Sequence, residues 1–497
     1  MSRPARASKG KSRTRGPRKA RSSRGSRPYE LAIVGAGPAG LAAAELAASL
    51  GARVALIERA KLGGVSLNSG SIPSKALIRA ATIFAGLREA WRLLDLGTEP
   101  PKADLQRVVW RVRQIERRVG GYHSLDRLQR IGVDVHLGAA TFADARTLEV
   151  DGRRLPFRHA LIATGACTRP ANIPGLTAGS YHTSESIFEL SELPARLAVV
   201  GGGPLGCELA QAFCRLGSAV TIIQSDAKFL PREERDAAQI LAQSMARDGV
   251  DIRLNTRVVG ARVGAGTVTL ETENYQTRRE VTADRVVVSV GRVAYTDGLG
   301  LETAGVNFDA TRGVLVDKFL RTSNPNVYAA GDVCMSDKYT HVAQITAQIA
   351  VRNALLGTRV PHTGLTIPWC TFCAPEVAHV GLQVWQARQR SLPIKTYTIL
   401  MHDIDRAITD RQDMGFVKLH VAEGHDRVLG ATIVASRASE MINEICVAMS
   451  TGIGLRALAK VIHTYPSQSS AIRYAATTFE GPAFPGERPY ATRVAPR

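Results

Sequence analysis

Two segments of the chain are near-copies of each other. Leu31–Glu58 reads LAIVGAGPAGLAAAELAASLGARVALIE, and Leu197–Gln224 reads LAVVGGGPLGCELAQAFCRLGSAVTIIQ. Each is an apolar run, then G-x-G-x-x-G, then an alanine-rich helical stretch closed by Leu-Gly, then a second apolar run. One such glycine motif is weak evidence; two copies, each between a strand and a helix, define two dinucleotide-binding βαβ units. Gly35 and Gly201 permit the tight turn, Gly37 and Gly203 admit a pyrophosphate to the backbone, and Gly40 and Gly206 let the helix pack on its strand. Pro38, Ala39, Pro204 and Leu205 complete the turns, and the phosphates are expected on the positive helix N-termini.

The copies diverge at their last position. Glu58, followed by Arg59, is a carboxylate suited to ribose hydroxyls. Gln224 also accepts from a ribose hydroxyl but does not repel a 2′-phosphate, and no arginine follows it directly. The second nucleotide is therefore NADH or NADPH. Downstream, TSNPNVYAAGDV (Thr322–Val333) ends a short apolar run at Gly331-Asp332, and LIATGA (with Thr164 and Gly165) and VVVSVGR (with Gly291) are short apolar strands ending in glycine.

The formal charge of +20 is concentrated at the N-terminus, where residues 1–28 hold eleven Lys or Arg and no acid. This stretch lacks the apolar core of a secretory signal and cannot offset its ordering entropy by burial, so it is expected to be a disordered basic tail. Its roles would be solubility or a nonspecific, salt-sensitive polyanion contact. No apolar run is long enough for a membrane span. Seven scattered cysteines without a signal peptide suggest a reducing compartment and a cytoplasmic location. Cys370 and Cys373 form a C-x-x-C inside WCTFCAPEVAHVGL, which reads as a strand and would turn them to opposite faces. No metal site is expected.

With both fingerprints, the GD pair and GGVSLNSGSIPSK (Gly63–Lys75) in this order, the chain resembles the class I pyridine nucleotide–disulfide oxidoreductases, and its mercuric-reductase-like branch in LNSGSIPSKALIRAA, DRAITDRQDMGFVKLHV and LGATIVASRASEMINE. The resemblance implies an α/β fold with an FAD-binding domain (29–165 and 291–360), an inserted NAD(P)-binding domain (166–290) and an α+β interface domain (365–480) that makes a homodimer; 481–497 would be a C-terminal tail. It implies that Asp332 accepts from the ribityl chain and that Gly331 admits the pyrophosphate. It also implies that Lys75 sits by the flavin N5 edge, paired with Glu208 to hold a fixed positive charge where the reduced ring gathers negative charge.

Two departures bear on function. The family loop reads G-G-x-C-x-x-x-x-C-x-P-S-K, and here the cysteine positions are Ser66 and Ser71. A thiolate pair stores two electrons as a disulfide; a serine hydroxyl stays protonated and forms no such bond. The family's C-terminal H-x-H-P-T-x-x-E is here HTYPSQSS: His463 and Pro466 match, while Tyr465 and Ser470 stand at the acid/base His and Glu. Tyrosine, with a pKa of about 10, is a poor base at neutrality. The resemblance thus points to an FAD-dependent NAD(P)H oxidoreductase without a dithiol, feeding a diffusible acceptor such as a quinone, oxygen, a dye or another nicotinamide. Two other readings are a noncatalytic FAD- and nicotinamide-binding redox sensor, and a mercuric, dihydrolipoamide or disulfide reductase with substitute thiols, for which Cys334 beside Asp332 is the cysteine to inspect.

Overall fold

The computed structural model describes residues 27–97 and 102–479. The basic tail, apart from Arg27 and Pro28, and the segment 481–497 lie outside the described residues. The first repeat builds β1 (Tyr29–Val34), α1 (Pro38–Ser49) and β2 (Val54–Glu58). Next come a short helix α2 (Gly64–Asn68), a long helix α3 (Ser71–Leu93), β3 (Val133–Leu137) and β4 (Arg153–Ile162). These strands lie parallel in the order β3-β2-β1-β4. Leu31, Ile33, Val54 and Leu56 are all 1 % exposed or less, because a parallel sheet is covered on both faces and its strands carry no polar side.

The second repeat repeats the plan. β5 (Arg196–Val200), α4 (Pro204–Leu216) and β6 (Ala219–Ile223) are followed by α5 (Arg235–Asp248), β7 (Asp251–Arg253) and β8 (Arg285–Val288). The sheet order is β7-β6-β5-β8, all parallel. An antiparallel three-stranded sheet, 257–283, covers one face through Val268, Leu270 and Val281. Two short antiparallel strands, Ala166–Thr168 and Arg292–Ala294, connect the second unit to the first. The chain then returns as β9 (Val327–Ala329), which joins β4 in parallel, and α6 (Thr340–Leu356), which packs along α1.

The last sheet is antiparallel. β10 (Pro368–Thr371), β11 (Glu376–Gly381), β12 (Ile394–Leu400), β13 (Phe416–Ala422) and β14 (Val428–Ala435) are ordered β10-β11-β14-β13-β12, with α7 (Ala438–Thr451) and α8 (Ser470–Thr477) against them. The segment WCTFCAPEVAHVGL is not one strand. β10 stops at Thr371, and Cys373 lies in the bend before β11, where Ala374-Pro375 is cis. Proline lacks the N–H of a ladder residue, so the run breaks into a hairpin.

Candidate active site

The two glycine turns superimpose in their chemistry. A Cβ on Gly40 would lie 1.8 Å from Gly35 O, and one on Gly206 2.1 Å from Gly201 O, so each helix start is closed to any side chain at that point. Gly37 and Gly203 cap the two helices without a side-chain hydrogen bond, and nothing stands within 4 Å of a Cβ built on Gly203. The amide groups of both helix heads are thus open to a phosphate. Glu58 Oε2 accepts from Ala36 N–H at 2.8 Å and Oε1 from Ala60 N–H at 2.8 Å. Gln224 Oε1 accepts from Gly202 N–H at 2.8 Å. The terminal residue of each repeat therefore braces its own glycine turn.

A cleft of about 800 Å³ opens beside the second turn. Gly201, Gly203, Pro204, Leu205, Gln224, Ser225 and Arg257 line one part of it, and Gly291, Arg292, Lys338, Tyr339, Trp369 and Glu233 line another. Arg257 comes from a distant segment: Thr256 N–H donates to Gln224 O at 2.8 Å, which brings the Arg257 backbone beside the end of the second repeat. Arg257 also pairs with Glu273 at 2.9 Å. Sequence reading found no arginine there because the neighbour belongs to the next sheet.

Lys75 Nζ lies 2.7 Å from Glu208 Oε2, joining α3 to α4. Glu208 is 3 % exposed, and its other oxygen accepts from Phe372 N–H at 3.0 Å. The Phe372 ring lies under the ammonium, 4.2 Å from Nζ to the centroid. The cation is thus held by a buried acid and an aromatic face, on helices from both halves of the chain. Asp332 accepts from Arg292, whose other nitrogen donates to Ala166 O, while Lys338 donates to Asp332 O at 2.8 Å. Gly331 leads into that turn with φ +74°. Thr164 donates to Tyr295 O at 2.7 Å and Gly165 O accepts from Tyr295 N–H at 3.0 Å. Arg59 donates to the Tyr295 hydroxyl and lies over its ring. Gly291 O accepts from Arg169 N–H at 2.9 Å.

Gly63–Lys75, read from sequence as a loop, is mostly helical. Ser66 is on α2 and Ser71 is the exposed first residue of α3. The Ser66 hydroxyl is 2.9 Å from that of Thr340, the first residue of α6. Tyr465 is 76 % exposed, and its hydroxyl donates to Asp405 at 3.0 Å. Ser470 is buried at the head of α8, 3.1 Å from the Ser467 hydroxyl. His463 Nε2 is instead 3.0 Å from Glu444 Oε1 within the same chain.

All seven cysteines are free. Burial pushes the Cys334 thiol up to about 12, and Cys370 and Cys373 are raised well above the ordinary range, again chiefly by burial. Their thiolates are scarce at neutral pH. Glu233 is the residue the sequence did not signal. It is 3 % exposed; Oε1 accepts from Trp369 Nε1–H at 2.8 Å and Oε2 has no partner. Its neighbour Glu234 is bound by Lys418 and His420.

Two glycine-headed dinucleotide units joined by the pairing of Lys75 with the buried Glu208 define a two-nucleotide flavoprotein oxidoreductase. Residues 29–354 match the pyridine nucleotide-disulphide oxidoreductase family and residues 367–476 match its dimerisation domain. The chain belongs to this family, whose cofactors are FAD and NAD(P)H. The residues present fit both: two open helix heads, a glycine cradle at each, and a cleft beside the second. A mercuric reductase of Streptomyces lividans is 32 % identical over 456 residues, 91 % of this chain and 96 % of that protein. A dihydrolipoyl dehydrogenase of Staphylococcus aureus is 35 % identical over 444 residues, 88 % and 93 % of the two chains. Among solved structures, the HOCl-induced flavoprotein disulfide reductase RclA of Escherichia coli matches with TM-score 0.81 at 30 % identity, covering 90 % of this chain and 100 % of its own. LpdA of Mycobacterium tuberculosis matches with TM-score 0.83 at 29 % identity, covering 90 % and 99 %. Among the described residues no helix is long and apolar enough to cross a membrane.

Proposed function

We propose that this protein is a homodimeric NAD(P)H oxidoreductase that works without a dithiol relay and delivers electrons to a diffusible acceptor such as a quinone, oxygen, a dye or another nicotinamide. The observation that carries this reading is a contrast between two positions near the head of one helix. α3 begins at Ser71, where the family has a redox thiol, yet four residues later carries Lys75 in its 2.7 Å pair with Glu208. The charge arrangement for receiving hydride is retained and the sulfur arrangement for passing it onward is not. Raised thiols at Cys334, Cys370 and Cys373 argue against a substitute pair.

When bound, FAD supplies two-electron chemistry between nicotinamide and acceptor. The Lys75 ammonium, half-buried and paired with buried Glu208, stands where it would stabilise negative charge developing on a bound flavin. Glu208 fixes that charge in place, and the amides at Gly37 and Gly203 hold phosphates. We place the FAD unit at 29–165 and 291–360, the NAD(P) unit at 166–290 and the interface domain at 365–480. Anaerobic titration of the holoenzyme with NADH and with NADPH tests the reading. Two electrons per FAD should bleach the flavin with no long-wavelength thiolate charge-transfer band, and the reduced enzyme should be reoxidised by a quinone. A four-electron requirement with such a band would overturn it.

A further inference from the structure

We propose that Glu233 is the proton donor for reduction of the acceptor, handing its carboxyl proton to a quinone bound in the cleft beside Trp369. The proposal rests on the diffusible-acceptor reading above and adds the group that completes its chemistry. Two-electron reduction of a quinone to a hydroquinone consumes a hydride and a proton. The hydride would come from the flavin that the family scaffold holds, which would be left oxidised. The proton leaves Glu233 as its O–H bond breaks and a new O–H bond forms on the quinone oxygen. Water entering the open cleft then reprotonates the carboxylate.

The surroundings of Glu233 suit this role. It lines the cleft together with Trp369 and Tyr339, next to the apolar Leu230 and Pro231, a wall suited to a flat aromatic ring. Trp369 is fixed on two sides, by its 2.8 Å hydrogen bond to Glu233 Oε1 and by the His379 ring 4.4 Å away. Oε2 has neither a hydrogen-bond partner nor solvent contact, and rotation of the carboxyl exchanges the two oxygens. Glu116 also holds an oxygen without a hydrogen-bond partner, but it does not line the cleft.

The charges around it leave the proton available. Arg232 and Arg235 flank it, Glu234 next in the chain is neutralised by Lys418 and His420, Tyr339 faces it from the head of α6, and Cys370 lies in the shared field of Glu233 and the Lys75–Glu208 pair. Burial outweighs the Trp369 hydrogen bond and the Arg232 charge and lifts the carboxyl to about 7. An acid of that strength is populated in both forms at neutrality, as proton transfer requires.

Glu233→Gln in the holoenzyme separates the steps. Reoxidation of dithionite-reduced enzyme by ferricyanide, which takes electrons without a proton and does not involve the nicotinamide, should stay within about twofold of the parent. Quinone reduction by enzyme previously reduced with dithionite should fall by roughly 10²-fold or more, and the parent's decline in that rate above about pH 7 should vanish. Glu233→Asp should recover part of the rate. Independently of turnover, infrared difference spectra should show a buried protonated carboxyl that titrates near pH 7 and is missing in Glu233→Gln. An unchanged quinone rate, a parallel loss with ferricyanide, or the absence of that carboxyl band would overturn the proposal. Failure of NAD(P)H to reduce the flavin would instead overturn the wider reading, since the dithionite arm does not depend on it.

Discussion

Glu234 Oε2 stands 2.7 Å from Lys418 Nζ, and Glu234 Oε1 stands 3.0 Å from His420 Nε2, so one buried carboxylate binds the head of α5 to β13 of the C-terminal sheet. Removing one partner of a buried pair leaves the other charge stranded, at a cost on the order of 3–5 kcal/mol. Glu234→Gln should therefore lower the denaturant midpoint markedly. Burial pushes the Glu234 pKa up, but the His420 and Lys418 contacts outweigh it and hold it below the usual carboxylate range. The folded pKa is depressed, so this contribution is present above the unfolded value of about 4.3 and is lost as pH falls below it. Thermal unfolding scans should show the parent losing more stability on acidification than Glu234→Gln.

Glu233 has the opposite sign. Its folded pKa is raised to about 7, so its contribution is full below the unfolded value of about 4.3 and is lost as pH rises through 7. Between pH 5 and 8, on the order of this titration window, the melting temperature of Glu233→Gln should slope less steeply downward than that of the parent.

Ser66→Cys with Ser71→Cys should restore a disulfide that reduced flavin opens, visible as a charge-transfer band after two-electron reduction. Hydroxyl-to-thiol exchange changes volume little, and the structural loss is limited to the 2.9 Å Ser66–Thr340 contact. Turnover of small disulfides should remain poor until Tyr465→His and Ser470→Glu are added, which should raise it by about 10²–10⁴-fold. A double-cysteine protein with no flavin-linked disulfide would mean that α2 and α3 hold these positions apart.

Gly206→Ala would place a methyl group 2.1 Å from Gly201 O, so the α4 head must shift. NAD(P)H should lose its hold while FAD, on the other repeat, is retained. The check is flavin content after gel filtration, together with flavin reduction by NADPH against reduction by dithionite.

Asp332→Ala removes the acceptor of Arg292 and an expected ribityl partner. An unpaired buried polar group costs about 1–3 kcal/mol, so FAD should wash out more readily from the variant. Equal flavin occupancy would show that Asp332 serves Arg292 alone.

The repeats were legible because their chemistry is local: a glycine that must be bare, a strand that must be apolar, and a terminal Glu or Gln a fixed distance along. The Lys75–Glu208 pairing was legible only through resemblance, since 133 residues separate the partners. Glu233, Trp369 and Arg257 gave no signal. Each is an ordinary residue by type, and its place in the cleft arises from packing between sheets that no periodicity encodes. The serines were legible as a change, but their helical setting was not, because Gly63, Gly64 and Gly70 read as breakers while a short helix and the head of a long one form around them.

The burial of the thiols reaches beyond electron flow. Cys207, Cys214, Cys334, Cys370, Cys373 and Cys446 all have raised pKa values, burial being the first cause in each. Thiolates are what mercurials, alkylating agents and hypochlorous acid attack first. A dithiol enzyme exposes its working atoms to such poisons, whereas the proposed route from nicotinamide to acceptor would contain no sulfur to be titrated. On that proposal, the serines at 66 and 71 would make catalysis chemically hardy, with turnover expected to continue under an oxidant or heavy-metal load that silences a sulfur-dependent enzyme.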